Sequence, residues 1–245
     1  MNLKEYLDVI VKFLQDYLKD NHQDCYVLGI SGGVDSSLVA ALAKKAVGKE
    51  KLFAYAMPID SLLDDENDAV RLAKHLDINY EVIDLTDAYH NLVEKYEATG
   101  IKLDLSTKGN LKARMRMATL YAFAQNKHGL VLGTDNKDER YTGYFTKFGD
   151  GGVDLLPIAH LLKREVVEAC LLLDIPEDLA KRVPSAGLYQ GQTDEKEMGI
   201  TYHDLDDYLL GKEINEEAKA RIERLHRISA HKREEIPTPE EYIRG

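Results

Sequence analysis

The sequence predicts an α/β fold, a parallel sheet with helices on both faces, and three observations carry that prediction. Short apolar runs without helical period alternate with amphipathic stretches through the first half of the chain. The first run, Cys25-Tyr26-Val27-Leu28-Gly29-Ile30, leads directly into a Ser/Gly loop and then a helical stretch. A second run, Gly129-Leu130-Val131-Leu132, ends at Gly133-Thr134, so two strand ends reach the edge where open parallel sheets bind ligands.

The elements follow in order. Leu3, Leu7, Ile10, Phe13, Leu14 and Tyr17 recur at helical spacing and predict an amphipathic helix ending near Asn21. The strand at residues 25–30 precedes a Leu- and Ala-rich helix over 35–47, with Gly48 placed to stop it. Strands over 52–57 and 80–85 alternate with helices over 64–76 and 86–98. A polar stretch at 106–110 is read as a break before a helix running through 120–125. Residues 136–154 are glycine-rich and charged and predict a long functional loop. Helices are expected at 160–173, 202–210 and 216–228, and the polar segment 184–197, with Gly187 and Gly191, reads as a mobile flap.

At 245 residues, with 44% apolar and 31% charged side chains, the chain is long enough for one full α/β core. A net charge of −11 repels polyanionic backbones and argues against a nucleic-acid-binding role. Cys25 and Cys170 are the only cysteines and lack CxxC spacing, which fits reduced thiols. No basic-then-apolar leader or ~20-residue apolar run is present, so a soluble, cytoplasmic protein without membrane contact is expected.

The chemistry is written first in Ser31-Gly32-Gly33-Val34-Asp35-Ser36-Ser37. Gly32 and Gly33 let backbone N–H groups approach an anion, and the helix that follows adds its positive dipole end. No Gly-Lys-Ser/Thr follows, so this is not a Walker loop. A carboxylate at Asp35 inside a phosphate cradle requires a bridging cation, and Mg²⁺ with oxygen ligands suits the position. The plainer alternative is a Ser-Gly-Gly turn with Asp35 as a helix N-cap. The loop resembles that of the ATP pyrophosphatases, whose Ser-Gly-Gly-x-Asp-Ser sequence holds the pyrophosphate of ATP cleaved to AMP.

The second half narrows the resemblance. Gly133-Thr134-Asp135, Glu139, the run from Tyr141 through Phe145, Lys147, Gly149 and Asp150 to Asp154 and Pro157, Asn110 through Arg114 to Arg116, Leu162-Lys163-Arg164, Asp194-Glu195 and His231-Lys232-Arg233 are similar to the ammonia-dependent NAD synthetases over nearly the whole chain. That resemblance implies an adenine nucleotide alpha hydrolase-like, Rossmann-like fold, with residues 1–245 as one synthetase domain and no glutaminase domain. It implies ATP contacts at Gly29, Ile30, Ser31, Gly32, Gly33, Val34, Asp35, Ser36, Thr134, Lys163 and Ser185, and Mg²⁺ on Asp35 and Glu139. Deamido-NAD is expected on Arg114, Lys147, Asp154, His231 and Lys232, with Asp35 and Lys163 catalytic and Asp150 orienting or deprotonating ammonium. A homodimer is implied as well. Val34 stands where many relatives carry a polar residue, and Ser185 where Thr is usual. Arg114 and Arg116, two apart on a helix, should face different directions. The alternatives at this point are a tRNA-modifying member of the superfamily, which would need a basic surface, and a nucleotide sensor lacking Asp35, Glu139 or Lys163.

Overall fold

Asn2 and Glu5 cap the first helix reciprocally: the Glu5 N–H donates to the Asn2 side chain, and the Asn2 N–H donates to Glu5. That helix, α1 (Leu3–Asp20), buries Leu7, Ile10, Val11, Leu14 and Leu18, a stripe at three- and four-residue steps. The computed structural model describes residues 1–61, 63–182 and 193–243, with residues 63–66 described by backbone alone. The chain continues through β1 (Cys25–Gly29), α2 (Val34–Val47), β2 (Leu52–Ala56), α3 (Leu63–His75), β3 (Asn79–Val82), α4 (Thr86–Glu97), α5 (Leu105–Asn126) and β4 (Gly129–Leu132). After β4 come α6 (Lys137–Thr142), α7 (Lys163–Leu172), α8 (Glu177–Ala180), α9 (Asp194–Met198), α10 (Tyr202–Leu209), α11 (Glu216–Ile228) and α12 (Ala230–Arg233).

The four strands lie in the order β3-β2-β1-β4, all parallel. From β1 the chain steps outward to β2 and β3, then returns to the other side of β1 as β4. The order therefore reverses between β1 and β4, and the crevice beyond their carboxyl ends is where such sheets bind ligands. Alternate β1 residues serve opposite faces. Tyr26 and Leu28 pack with α1, α2 and α7 on one side. Cys25 and Val27 join Tyr55 and Val131 against Leu120 and Ala124 of α5 on the other. The expected parallel sheet with helices on both faces is what the structure shows.

Two expectations are corrected. The polar residues 106–110 do not interrupt α5, because Asp104 caps it by accepting the Thr107 N–H and the helix runs on through them. Residues 136–154 are not loop throughout: Asn136 and Glu139 form a second capping box and start α6, which ends at Gly143. Gly143 has φ +68°, and a Cβ there would lie 2.2 Å from Ser229 Cβ, so glycine lets α6 end against α11. Of the expected flap, residues 184–192, with Ser185, lie outside the described residues, while residues 194–198 form α9.

Candidate active site

The Ser31–Ser37 loop bridges β1 and α2 and is shaped by close contact. Gly32 has φ +75°, and a Cβ on it would sit 2.7 Å from Asp68 Cβ and 2.9 Å from the Ala69 backbone nitrogen. Both the backbone conformation and the space exclude a side chain. Ser36 and Ser37 hydroxyls donate to the Gly33 carbonyl at 3.0 and 2.8 Å, and Ser31 Oγ lies 3.3 Å from Ser36 Oγ. The N-cap of α2 is Gly33, and no side chain caps it, so Asp35 is not the cap. Asp35 instead lies in the first turn and projects its carboxylate toward α6 and α7, where the Asn136 amide donates to Oδ1 at 2.8 Å.

Lys163, the first residue of α7, meets that carboxylate. Its ammonium lies 2.6 Å from Asp35 Oδ2 and 3.2 Å from Glu139 Oε1, with only 4% of the residue exposed. Two carboxylates far apart along the chain, Asp35 of α2 and Glu139 of α6, thus converge on one cation. Their charges hold Lys163 protonated against the desolvation that opposes it. Burial, followed by the Asp35 charge, pushes the Glu139 carboxyl up to about 7. Oxygen donors at this spacing, beside a phosphate-shaped loop, fit a small hard cation that takes one or two carboxylates plus phosphate oxygens. Among the described residues, no group of three or more His, Cys, Asp or Glu side chains forms a self-sufficient metal cage.

A layer of buried partners fixes this cluster. Asp138 Oδ2 accepts the Lys163 backbone N–H at 2.9 Å, and Asp206 lies within electrostatic reach of the Asp138 carboxyl. Asp206 also takes the Arg164 guanidinium at 2.6 Å. Burial, followed by the Asp206 charge, pushes the Asp138 carboxyl up to about 8. Tyr202 on α10 donates its hydroxyl to Asp194 Oδ2 at 2.9 Å and lies 3.3 Å from Glu139 Oε1. Its ring centroid lies 4.8 Å from the Lys163 ammonium.

A cavity of about 950 Å³ opens at this switch point. Gly29, Ile30, Ser31, Gly33, Val34, Asp35 and Ser36 line it, as do Thr134, Glu139, Asp150, Lys163 and Lys232. Gly32 stands behind the loop against α3. Arg114, Lys147 and His231 form a separate chain at the surface: the Arg114 guanidinium donates to the Lys147 carbonyl at 3.3 Å, and the Lys147 ammonium donates to the His231 carbonyl. Asp154 is placed apart, accepting the Val131 N–H at 2.7 Å and the Tyr121 hydroxyl at 3.2 Å. As the two-residue spacing implies, Arg114 and Arg116 diverge, and it is Arg116 that lines the cavity, donating to the Met57 carbonyl at 2.9 Å.

Lys232 anchors the tail to the site. Its ammonium donates to the Gly143 and Phe145 carbonyls at 2.7 and 2.6 Å. Lys232→Ala removes two charge-assisted hydrogen bonds, so an expected loss of roughly 2–4 kcal/mol lowers the melting temperature by several degrees in calorimetry. An unchanged melting temperature would show that the tail does not brace the turn after α6.

The NAD synthase family model matches residues 6–236. The chain belongs to the NAD synthase family. An NH(3)-dependent NAD(+) synthetase of Mesoplasma florum is 44% identical over 244 residues, covering all of both chains. Among solved structures, an NMN synthetase from Francisella tularensis is 41% identical with a TM-score of 0.92, over 98% of this chain and 99% of that one. An NH3-dependent NAD synthetase from Campylobacter jejuni is 30% identical with a TM-score of 0.81, over 98% and 100%. Within this NAD synthase chain, Asn136, Asp138 and Tyr202 join the site without a sequence-based role, and Asp135 and Arg116, quoted in motifs, join it without having been assigned one. For Asn136 the Asn136-x-x-Glu139 capping pattern offered a local signal.

Proposed function

We propose that the protein is an ammonia-dependent NAD synthetase, forming NAD from deamido-NAD, ATP and ammonia with release of AMP and pyrophosphate. The observation that carries this reading is the convergence of Asp35, Glu139 and Lys163 beside the Ser31–Ser37 loop, in a chain of the NAD synthase family. Asp35 and Glu139 would hold Mg²⁺, which supplies Lewis-acid neutralisation of phosphate charge. The Ser31 and Ser36 hydroxyls and the N-terminus of α2 receive the pyrophosphate. Lys163 offers its ammonium to the charge that develops at the α-phosphorus as the nicotinate carboxylate attacks. Ammonia then attacks the acyl carbon; the C–N bond forms and AMP leaves with the electron pair of the C–O bond. Arg114, Lys147, Asp154, His231 and Lys232 are assigned to the dinucleotide, and Ser185 to ATP.

The assay is the purified chain with Mg-ATP, ammonium and deamido-NAD, following NAD, AMP and pyrophosphate together. Equal yields of all three are expected; ADP in place of AMP, or no NAD, defeats the proposal. The same assay with the mononucleotide, nicotinate mononucleotide, tests a second reading favoured by the 0.92 TM-score to an NMN synthetase. A higher kcat/KM for the mononucleotide would make that the true substrate.

We further read the chain as one synthetase unit that draws on free ammonia and works as a cytoplasmic homodimer. Cys25 and Cys170 are buried free thiols, and no described helix is long and apolar enough to cross a membrane. Leu105 and Phe148 are 66% and 54% exposed, and apolar side chains this open suit a contact between copies. Sedimentation at micromolar concentration should give twice the monomer mass.

A further inference from the structure

Asp35 and Glu139 have two cations to serve. Asp35 Oδ2 and Glu139 Oε1 contact the Lys163 ammonium at 2.6 and 3.2 Å, and the same two carboxylates are read above as the holders of Mg²⁺. Two cations drawn to one pair of carboxylates repel each other strongly in a low dielectric. Lys163 therefore has to give up both bonds and turn to the phosphate while staying buried and aimed. The stem of a lysine is a flexible four-carbon chain, so the aim has to come from a contact that a metal does not take.

Tyr202 supplies such a contact. Its ring centroid lies 4.8 Å from the ammonium, within cation–π range. An aromatic face offers no oxygen lone pair, and Mg²⁺ takes oxygen ligands, so ring and metal do not compete. The ring is also held still. Tyr202 begins α10, is 6% exposed and packs with Met198, Ile200, Leu205 and Ile222. Both of its ends are tied to α9: the backbone N–H donates to Glu195 Oε1 at 2.9 Å, and the hydroxyl donates to Asp194 Oδ2 at 2.9 Å. Asp194 and Glu195, quoted from the sequence without a role, thus fix the ring. Lys163, Asp35 and Glu139 line the cavity, and Tyr202 stands behind them. A ring locked in this way stays in place when the ammonium turns.

We propose that Tyr202 is a positioning residue for adenylate formation, its ring face holding the Lys163 ammonium toward the cavity when Asp35 and Glu139 turn to the metal. The inference rests on the synthetase reading. Asp194 keeps its negative charge within electrostatic reach of the ammonium, so Lys163 stays balanced by a carboxylate outside the Asp35 and Glu139 pair. The lysine then pivots on the ring rather than searching its rotamers at each turnover.

The direct test is a crystal structure of the full chain with Mg²⁺ and α,β-methylene-ATP. Expected is an ammonium within about 6 Å of the Tyr202 ring centroid, with both carboxylate bonds given up. An ammonium that has left the ring, or one that still holds both carboxylates beside the metal, overturns the proposal. Nucleotide bound without metal on Asp35 and Glu139 overturns it too. Kinetics separates ring from hydroxyl through deamido-NAD-dependent exchange of pyrophosphate into ATP, run without ammonium. Tyr202→Leu should lose at least about tenfold in kcat, with the KM for Mg-ATP within about twofold of wild type. Tyr202→Phe restores the face and should recover to within about threefold of the wild-type kcat. Equal loss of kcat in the two variants, or a loss confined to KM, overturns the proposal. Tyr202→Met provides a second ringless background, and if neither ringless variant folds, the crystal structure of the wild type decides alone. Absence of pyrophosphate exchange in the wild type would instead overturn the synthetase reading, so the two failures are distinguishable.

Discussion

Lys163→Met should abolish adenylate formation and, in the absence of divalent metal, destabilise the fold. The side chain is nearly isosteric, so the cavity shape survives while the Lys163 ammonium shared by Asp35 and Glu139 is removed. Loss of a preorganised donor at developing phosphate charge lowers rate by roughly 10²–10³-fold, and pyrophosphate exchange should fall by at least that much. Breaking a buried ion pair typically costs about 3–5 kcal/mol, because the partners are left uncompensated in a low dielectric. Protonation of Glu139, already pushed up to about 7, offsets part of that cost. A divalent cation relieves the rest, so millimolar Mg²⁺ should raise the variant's melting temperature by several degrees more than the wild type's. Equal thermal responses to Mg²⁺ would mean that the two carboxylates do not bind the metal.

The sheet was legible because its signals are local. Cys25 to Gly29 is a buried run whose alternate residues face two helix layers, and the glycines that follow announce a tight turn. The phosphate loop and Lys163 were legible through motif, and the structure brings Asp35, Glu139 and Lys163 into one contact group. What escaped acts at a distance. Tyr202 reaches Glu139 across 63 positions, and Asp138 supports Lys163 across 25, with no periodicity to mark either pairing. Arg116 was within the quoted motif, yet a helix turns successive residues by about 100°, so only the fold decides which arginine faces the cavity. Helix α6 was hidden by the glycines after it, although Asn136 and Glu139 spell a capping box.

Asp35→Asn should separate catalysis from stability. It removes the carboxylate that lies 2.6 Å from Lys163 and accepts from Asn136, leaving Glu139 as the only carboxylate facing that lysine in the pair. Mg-dependent turnover is expected to fall by roughly 10²-fold or more, and the Mg²⁺ concentration for half-maximal rate to rise, because one of two protein oxygen ligands is lost. The pH dependence of stability should change in a stated direction. Glu139 in the folded wild type titrates near 7, well above its unfolded value of roughly 4.3, so the folded state binds the extra proton between them. Stability therefore falls as pH rises across that interval, by up to about 1.4 kcal/mol per pH unit, and levels off above it. The Asp35 charge is the second largest cause of the shift. Its removal lowers the Glu139 value, so urea unfolding of Asp35→Asn between pH 5 and 7.5 should show a flatter decline than wild type, with an unchanged m-value. A parallel decline in both proteins would show that burial alone, without the Asp35 charge, sets the Glu139 proton.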